Sequence, residues 1–280
     1  MNVTIKTLAI ALAMGLSVSG AFAAATATDT AVNYSGGWSV GTTPNLGSGF
    51  GAWNVQALNN NNPPYSGTYL DLASYGNSDG VLSPSGSGGA AWGTYANSAT
   101  TLIPELVMNR AFLAGPSGSA SLFNQTFSIG IGSSGIGGTG QSVTLSIGNA
   151  FALSYAGGGA DNMLLSVDGG AQSAVPVTFA NLNAGLLVSL SVNGPLSSTT
   201  EGYSLAISPF AGGAPIYTTS GTFDSSVYNT SSFTWDDLNT SQNGYANNPN
   251  ISPEVVPEPA TLALFGLSGL MTLRLIRRRK

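Results

Sequence analysis

Over much of the chain, apolar side chains recur at every second position with small polar residues between them. Val143, Leu145 and Ile147 alternate with Ser142, Thr144 and Ser146, and Leu186, Val188, Leu190 and Val192 alternate with Leu187, Ser189, Ser191 and Asn193. Phe127, Ile129 and Ile131 repeat the pattern, as do Phe151, Leu153 and Tyr155, then Tyr203, Leu205 and Ile207. Successive side chains of a strand point to opposite faces, so a period of two gives each segment one buried and one wet face. Turn-forming clusters separate the runs: Gly157-Gly158-Gly159, Asp168-Gly169-Gly170, Asn193-Gly194-Pro195 and Gly212-Gly213. Long 3.6-residue periodicity is missing, and residues 105–113 are the best helical candidate. Strands at roughly ten-residue spacing with Gly-rich turns predict an all-β chain folded as an antiparallel β-sandwich.

Other segments read more loosely. Within residues 33–99, the run Asn59-Asn60-Asn61-Asn62-Pro63-Pro64 and residues 83–89 predict exposed loops, and a short strand is expected over 69–72. Phe233, Trp235 and Leu238 tie residues 225–254 to a core. The expected organisation is a signal peptide over 1–23, a β-sandwich domain over 24–239, a polar spacer over 240–256 and a sorting segment over 257–280.

Charge is unevenly placed. Lys6, Arg274, Arg277, Arg278, Arg279 and Lys280 fall in the terminal segments, leaving Arg110 as the single cation of residues 24–256. Eleven of the twelve acidic residues lie in that body, giving it a formal charge of about −10. Such a surface repels phosphate backbones, so nucleic acid is excluded as a partner. The chain has neither Cys nor His, which removes Ser-His and Cys-His nucleophile pairs, imidazole or thiolate metal sites, and disulfides. Core burial must then hold the body together. Charged residues make up 7% of the chain, far below the ~25% of ordinary domains, so hydroxyls and amides fill the surface.

The termini read as targeting segments. Lys6 precedes an apolar stretch over 8–18, and Ala21-Phe22-Ala23 supplies the small-x-small pattern of signal peptidase, with Ala24 as the expected mature N-terminus. At the other end, Pro257-Glu258-Pro259 precedes the apolar run 260–273, and Arg277-Arg278-Arg279-Lys280 closes the chain. Residues 260–276 reach roughly 26 Å as a helix at ~1.5 Å per residue, slightly short of the ~30 Å hydrocarbon core. The basic cluster favours a cytoplasmic C-terminus, which leaves everything upstream outside. Pro257 and Pro259 hold the flanking backbone extended, the form a protease accepts.

Val256-Pro257-Glu258-Pro259, the apolar helix with Gly266 and Gly269, and the terminal Arg cluster resemble the PEP-CTERM sorting signal. That resemblance implies recognition by exosortase, an integral membrane Cys protease or transpeptidase of Gram-negative bacteria that make extracellular polysaccharide. The inner membrane would then hold the chain as a single-pass processing intermediate, before release to the outer surface or the medium.

The body is similar to a concanavalin-type jelly roll in its order of segments. These are Phe50-Gly51-Ala52-Trp53, a central strand from Leu122 through Ser128, then Phe151 to Tyr155, and a late strand from Tyr203 to Ile207. Carbohydrate binding is what this resemblance implies. Among the tryptophans, Trp92 lies between Gly-rich stretches and is the expected exposed platform for sugar stacking, although aromatics in a sandwich more often fill its core. Asp71, Asn77 and Asp79 offer oxygen donors for Ca²⁺ without EF-hand spacing, and no other cofactor is expected. Asp71, Asp79, Asp161, Asp168, Glu201, Asp236 and Asp237 are the pool for carboxylate chemistry; Asp161 and Asp168 read instead as turn formers. The expected function is that of a non-catalytic, exosortase-processed surface or matrix protein associated with exopolysaccharide or biofilm. A lectin-like module and a carboxylate-based glycan-active enzyme are the alternatives.

Overall fold

The computed structural model describes residues 27–34, 38–41, 45–59, 66–72, 82, 90–97, 103–113, 121–136, 138–159, 161–195, 197, 199–240 and 243–253. Residues 25–256 form a compact unit of their own. The signal residues Ala21, Ala23 and Ala24, the motif Pro257, Glu258 and Pro259, and the cluster Arg277, Arg278, Arg279 and Lys280 lie outside the described residues. No helix among the described residues is long and apolar enough to cross a membrane.

The chain enters through β1 (Ala27–Thr28), a 3₁₀ turn (Ala31–Tyr34), β2 (Asn54–Leu58), β3 (Ser66–Leu72), β4 (Ala90–Ala96) and β5 (Glu105–Ala111). It continues through β6 (Gln125–Ser133), β7 (Ser142–Ile147), β8 (Phe151–Ala156), β9 (Asn162–Val167) and β10 (Ser173–Thr178) to a short helix α1 (Phe179–Asn183). The last strands are β11 (Leu186–Pro195), β12 (Thr200–Pro209), β13 (Tyr217–Asp224), β14 (Ser232–Leu238) and β15 (Asn243–Pro253). One sheet has seven strands in the order β10-β9-β8-β7-β14-β5-β2. In the other layer β15 pairs with β1, β4 and β6, β3 pairs with β4, and β11-β12-β13 follow as a further group. β11 lies beside β6, joined by the hydroxyl pairs Thr126–Ser191 at 2.7 Å and Ser128–Ser189 at 2.8 Å. The result is the antiparallel β-sandwich that the alternating pattern predicts, jelly-roll-like as the resemblance implies.

Alternation explains which side of each strand is buried. In β7 and β14 every second residue is buried and the others are half-buried, so Val143, Leu145, Ile147, Phe233 and Trp235 point inward. Rings from the two layers then meet: Phe233 stacks on Phe127 at 5.1 Å, Trp53 meets Trp92 at 5.0 Å, and Phe151 meets Tyr203 at 5.0 Å and Phe223 at 5.3 Å. Asp168 and Gly169 turn the chain from β9 to β10 with φ of 58° and 59°, the doubly left-handed geometry for which Asp-Gly is suited. The reading of Asp168 as a turn former holds.

Three local expectations fail. Residues 105–111 form β5, because Leu106, Met108 and Arg110 alternate inward and the strand pairs with both β14 and β2. The expected spacer contains β15, which runs between β4 and β6; a central strand is defined by its backbone ladders, which polar residues form as well as apolar ones. Its Pro249 falls where the register with β6 shifts, between Asn247 and Asn250, the interior position a sheet tolerates for proline. Asn193, Gly194 and Pro195 continue β11 rather than ending it, again across a register shift.

Arg110 occupies an inward position and is wholly buried. Its Nη1 donates to Asp29, its Nε to the Gly51 carbonyl at 2.8 Å and its Nη2 to Asn45 Oδ1 at 2.6 Å. The guanidinium also lies 4.8 Å from the Phe50 ring centre and 4.9 Å from that of Trp53. Asp29 accepts further bonds from the Tyr34 hydroxyl at 2.5 Å and the Thr30 amide at 2.8 Å. Burial first, then the hydrogen bond to Asp29, pushes the Tyr34 phenol above its ordinary pKa. The body's single cation therefore clasps the N-terminal segment to β5. Removing one partner of such a pair strands the other, so Arg110→Met is expected to lower the unfolding free energy by about 3–5 kcal/mol. Urea unfolding of the protein at neutral pH checks this; a loss under about 1 kcal/mol would assign the pair no more than a surface bridge contributes.

Candidate functional site

The inward positions of the sandwich are spent on packing. Trp38, Trp53, Trp92 and Trp235 are all buried, with Trp92 at 0% exposure among Tyr34, Trp38 and Trp53. The expectation of Trp92 as an exposed platform is thus overturned: it alternates inward on β4, and its glycine neighbours do not lift it from the core. Asp237, also inward, accepts hydrogen bonds from Thr94 Oγ1 at 2.8 Å and from Thr240. Trp235 Nε1 donates to the same Thr94 oxygen at 3.1 Å, tying β14 to β4 across the interior.

The other expected site residues are described only in part. Asp71 lies within β3, opposite Ala91, rather than in a loop, while Asn77 and Asp79 lie outside the described residues. Among the described residues, no group of three or more acidic side chains could hold a metal ion. Asp168 Oδ2 accepts from the Asp224 amide at 3.2 Å, a turn contact. Glu201 stands on β12, where burial pushes its carboxyl above the ordinary range.

One polar surface is shared across many strands: the outward face of the seven-stranded sheet. Register fixes its rows. Gln56, Val107, Asp236, Thr144, Ser154 and Leu164 follow one another from β2 to β9. Beside them run Asn54, Asn109, Thr234, Ser146, Ala152 and Ser166, and on the other side Leu58, Glu105, Leu238, Ser142 and Ala156. Directly opposed side chains on adjacent strands lie ~4.5–5.5 Å apart at Cβ, so the hydroxyls and amides stand at contact spacing, interrupted by Val107, Leu164, Leu58 and Leu238. None of these residues is aromatic, so this face offers hydrogen bonds rather than ring stacking.

Asp236 sits at the centre of that lattice. Burial among its cross-strand neighbours, and then the charge of Glu105, push its carboxyl up to about 6. Its Oδ1 is shielded from solvent and meets no hydrogen-bond partner, which adds to the cost of charging it. Sequence reasoning placed Asp236 among the acids but missed Glu105 beside it. Residues 105–109 and 232–238 carry the usable signal, since both alternate, but their pairing spans more than 120 positions.

The comparisons with known proteins follow this geometry. Residues 255–280 match the family model described as the PEP-CTERM protein-sorting motif, so the chain carries that signal. No curated protein matches the sequence. Among solved structures, the chain is similar to the binding domain of botulinum neurotoxin DC in complex with SialylT, at 9% identity and a TM-score of 0.37, covering 77% of this chain and 46% of that one. It is similar to the binding domain of Paraclostridial Mosquitocidal Protein 1, at 16% identity and a TM-score of 0.38, over 71% and 47% of the two chains. A third is the CBM2 module of the Lactobacillus casei BL23 phage J-1 evolved Dit, at 12% identity and a TM-score of 0.43, over 82% and 98%. The chain spans less than half the length of the two toxin domains.

The raised carboxyl has a stability consequence. Asp236 holds its proton more tightly folded than unfolded, so its contribution is complete below the unfolded value of 3.8 and is lost as pH rises through about 6. At pH 7 its charge is a cost, of order 1 kcal/mol after allowing for solvent screening. Asp236→Asn should therefore stabilise the protein at pH 7 and leave it little changed at pH 4, as read by thermal melts at both. Destabilisation by Asp236→Asn at pH 7 would mean that the carboxylate is paired.

Proposed function

We infer that this chain is an exported, exosortase-processed surface protein whose body is a non-catalytic module binding a hydroxyl-rich matrix polysaccharide. The sorting motif at 255–280 supports export and processing. The observation that carries the binding reading is the outward row of Asn54, Gln56, Asn109, Thr144, Ser146 and Thr234 on adjacent strands. Amides and hydroxyls both donate and accept, as sugar hydroxyls do. Charge narrows the ligand: the body's only cation is buried in the clasp, so neutral chains fit and polyanionic ones are repelled. The product is a protein left outside the cell, adhering to exopolysaccharide or biofilm matrix by many weak contacts.

A second reading has one specific observation behind it. A carboxyl raised to about 6 beside a second carboxylate is the pairing that glycoside hydrolysis uses, one group as acid and one as base. Asp236 would be the acid and Glu105 the base, on the same face.

Two measurements test the proposal. In the producing cell, Pro257→Ala with Pro259→Ala should leave full-length protein in the inner membrane, and normal release of that variant contradicts the sorting half. Thr234→Ala with Asn109→Ala should weaken retention of the released protein on the producer's own neutral polysaccharide by about tenfold, a loss of about 1.4 kcal/mol. Unchanged retention contradicts the binding half, and release of reducing ends by the unmodified protein transfers the site to the enzymatic reading.

A further inference from the structure

The sheets end in edges that are protected unequally. β10 carries the exposed Pro176 and a register shift between Ala174 and Thr178, and it runs directly into α1. β2 is only five residues long. β13 has none of these devices: it pairs with β12 through eight consecutive residues without a shift, and no described strand pairs with its other side. Thr218, Ser220, Gly221 and Thr222 are exposed on it. From Tyr217 to Phe223 it contains no charge and no proline. Lysine, the usual guard of such an edge, occurs nowhere in residues 24–256.

We propose that β13 is a self-recognition edge, pairing antiparallel with β13 of a second copy of this chain to continue the β11-β12-β13 group across a two-fold axis. The strand's own sequence favours a second copy over an unrelated partner, because the register centred on Ser220 sets aromatic against aromatic and hydroxyl against hydroxyl. Odd-numbered residues face inward, since Tyr217, Thr219, Gly221 and Phe223 stand opposite Ile207, Leu205, Tyr203 and Glu201, with Ile207, Leu205 and Tyr203 buried. With Ser220 on the axis, inward residues meet inward residues and outward meet outward, as an antiparallel pair requires. Tyr217 then lies opposite Phe223, joining an aromatic pair on the core side, and Thr218 lies opposite Thr222, joining hydroxyls on the wet side. Thr219 falls opposite Gly221, a position kept free of a side chain because a Cβ there would come within 3.0 Å of the Tyr203 ring. The nearest acid on the strand, Asp224, is at its end and bonded to Ser226, so the two copies hold these carboxylates at opposite ends of the contact. The closed two-fold gives a dimer rather than a fibre, and it doubles the outward lattice available to a polymer ligand.

A charge swap tests this on the exported protein. Sedimentation velocity over a concentration series should show a monomer–dimer equilibrium. Ser220→Lys and Ser220→Glu, each placing like charges face to face on the axis, should each weaken the dimer by about tenfold or more, and an equal mixture of the two variants should restore it as a heterodimer. Thr218→Lys mixed with Thr222→Glu gives a second test at the flanking positions should either Ser220 variant fail to accumulate; there, each Lys should meet a Glu of the other variant. A wild-type protein that stays monomeric, or variants that dimerise as well alone as mixed, would overturn the proposal.

Discussion

Everything else in this fold depends on the aromatic seam between its two layers. Phe233 stacks on Phe127, Trp53 meets Trp92 and Trp38, and Phe151 meets Tyr203 and Phe223. Each such pair adds ~0.5–1.5 kcal/mol beyond the burial of its surface, and each buried ring contributes ~1.5–3 kcal/mol by leaving water. With no disulfide available and one ion pair among the described residues, no other interaction is large enough to hold the sheets together. The seam also carries a cost, since the indole N–H groups of Trp38, Trp53 and Trp92 meet no acceptor. Trp235 escapes that cost through Thr94, and the same threonine satisfies Asp237.

In β5, β7 and β14 burial is concentrated on one side of the strand, so the opposite side is left for other uses. The sequence spends it on hydroxyls and amides rather than charges. That choice links two properties of the body: a face of uncharged hydrogen-bonding groups and an edge at β13 without charge or proline between Tyr217 and Phe223. A surface rich in lysine would have guarded that edge. The sorting signal fits the same economy of charge, since five of the chain's seven cations lie within residues 255–280.

How much of this was readable in advance depended on whether the signal was local. β7, β8, β11 and β12 were legible because Val143 through Ile147 and their counterparts alternate against a single core. β5 was misread because Glu105, Leu106, Met108 and Arg110 are good helix formers, and only pairing with β14 and β2 overrides that preference. β15 was invisible because its place is set by ladders to distant strands, not by its polar side chains. The glycines around Trp92 suggested exposure, yet the ring is buried by Tyr34, Trp38 and Trp53 from remote segments. The partnership of Asp236 with Glu105 failed to show for the same reason, whereas the Pro257-Glu258-Pro259 signal was plain because all of its parts are contiguous.

The central claim is that all four tryptophans are locked in the seam. Acrylamide quenching of tryptophan fluorescence in the native, exported protein tests it directly. The account predicts blue-shifted emission, and quenching that stays slow until the protein unfolds and then rises for the whole signal together. A fraction of the native emission that is red-shifted and quenched as readily as free indole would place a tryptophan on the surface and contradict the packing described.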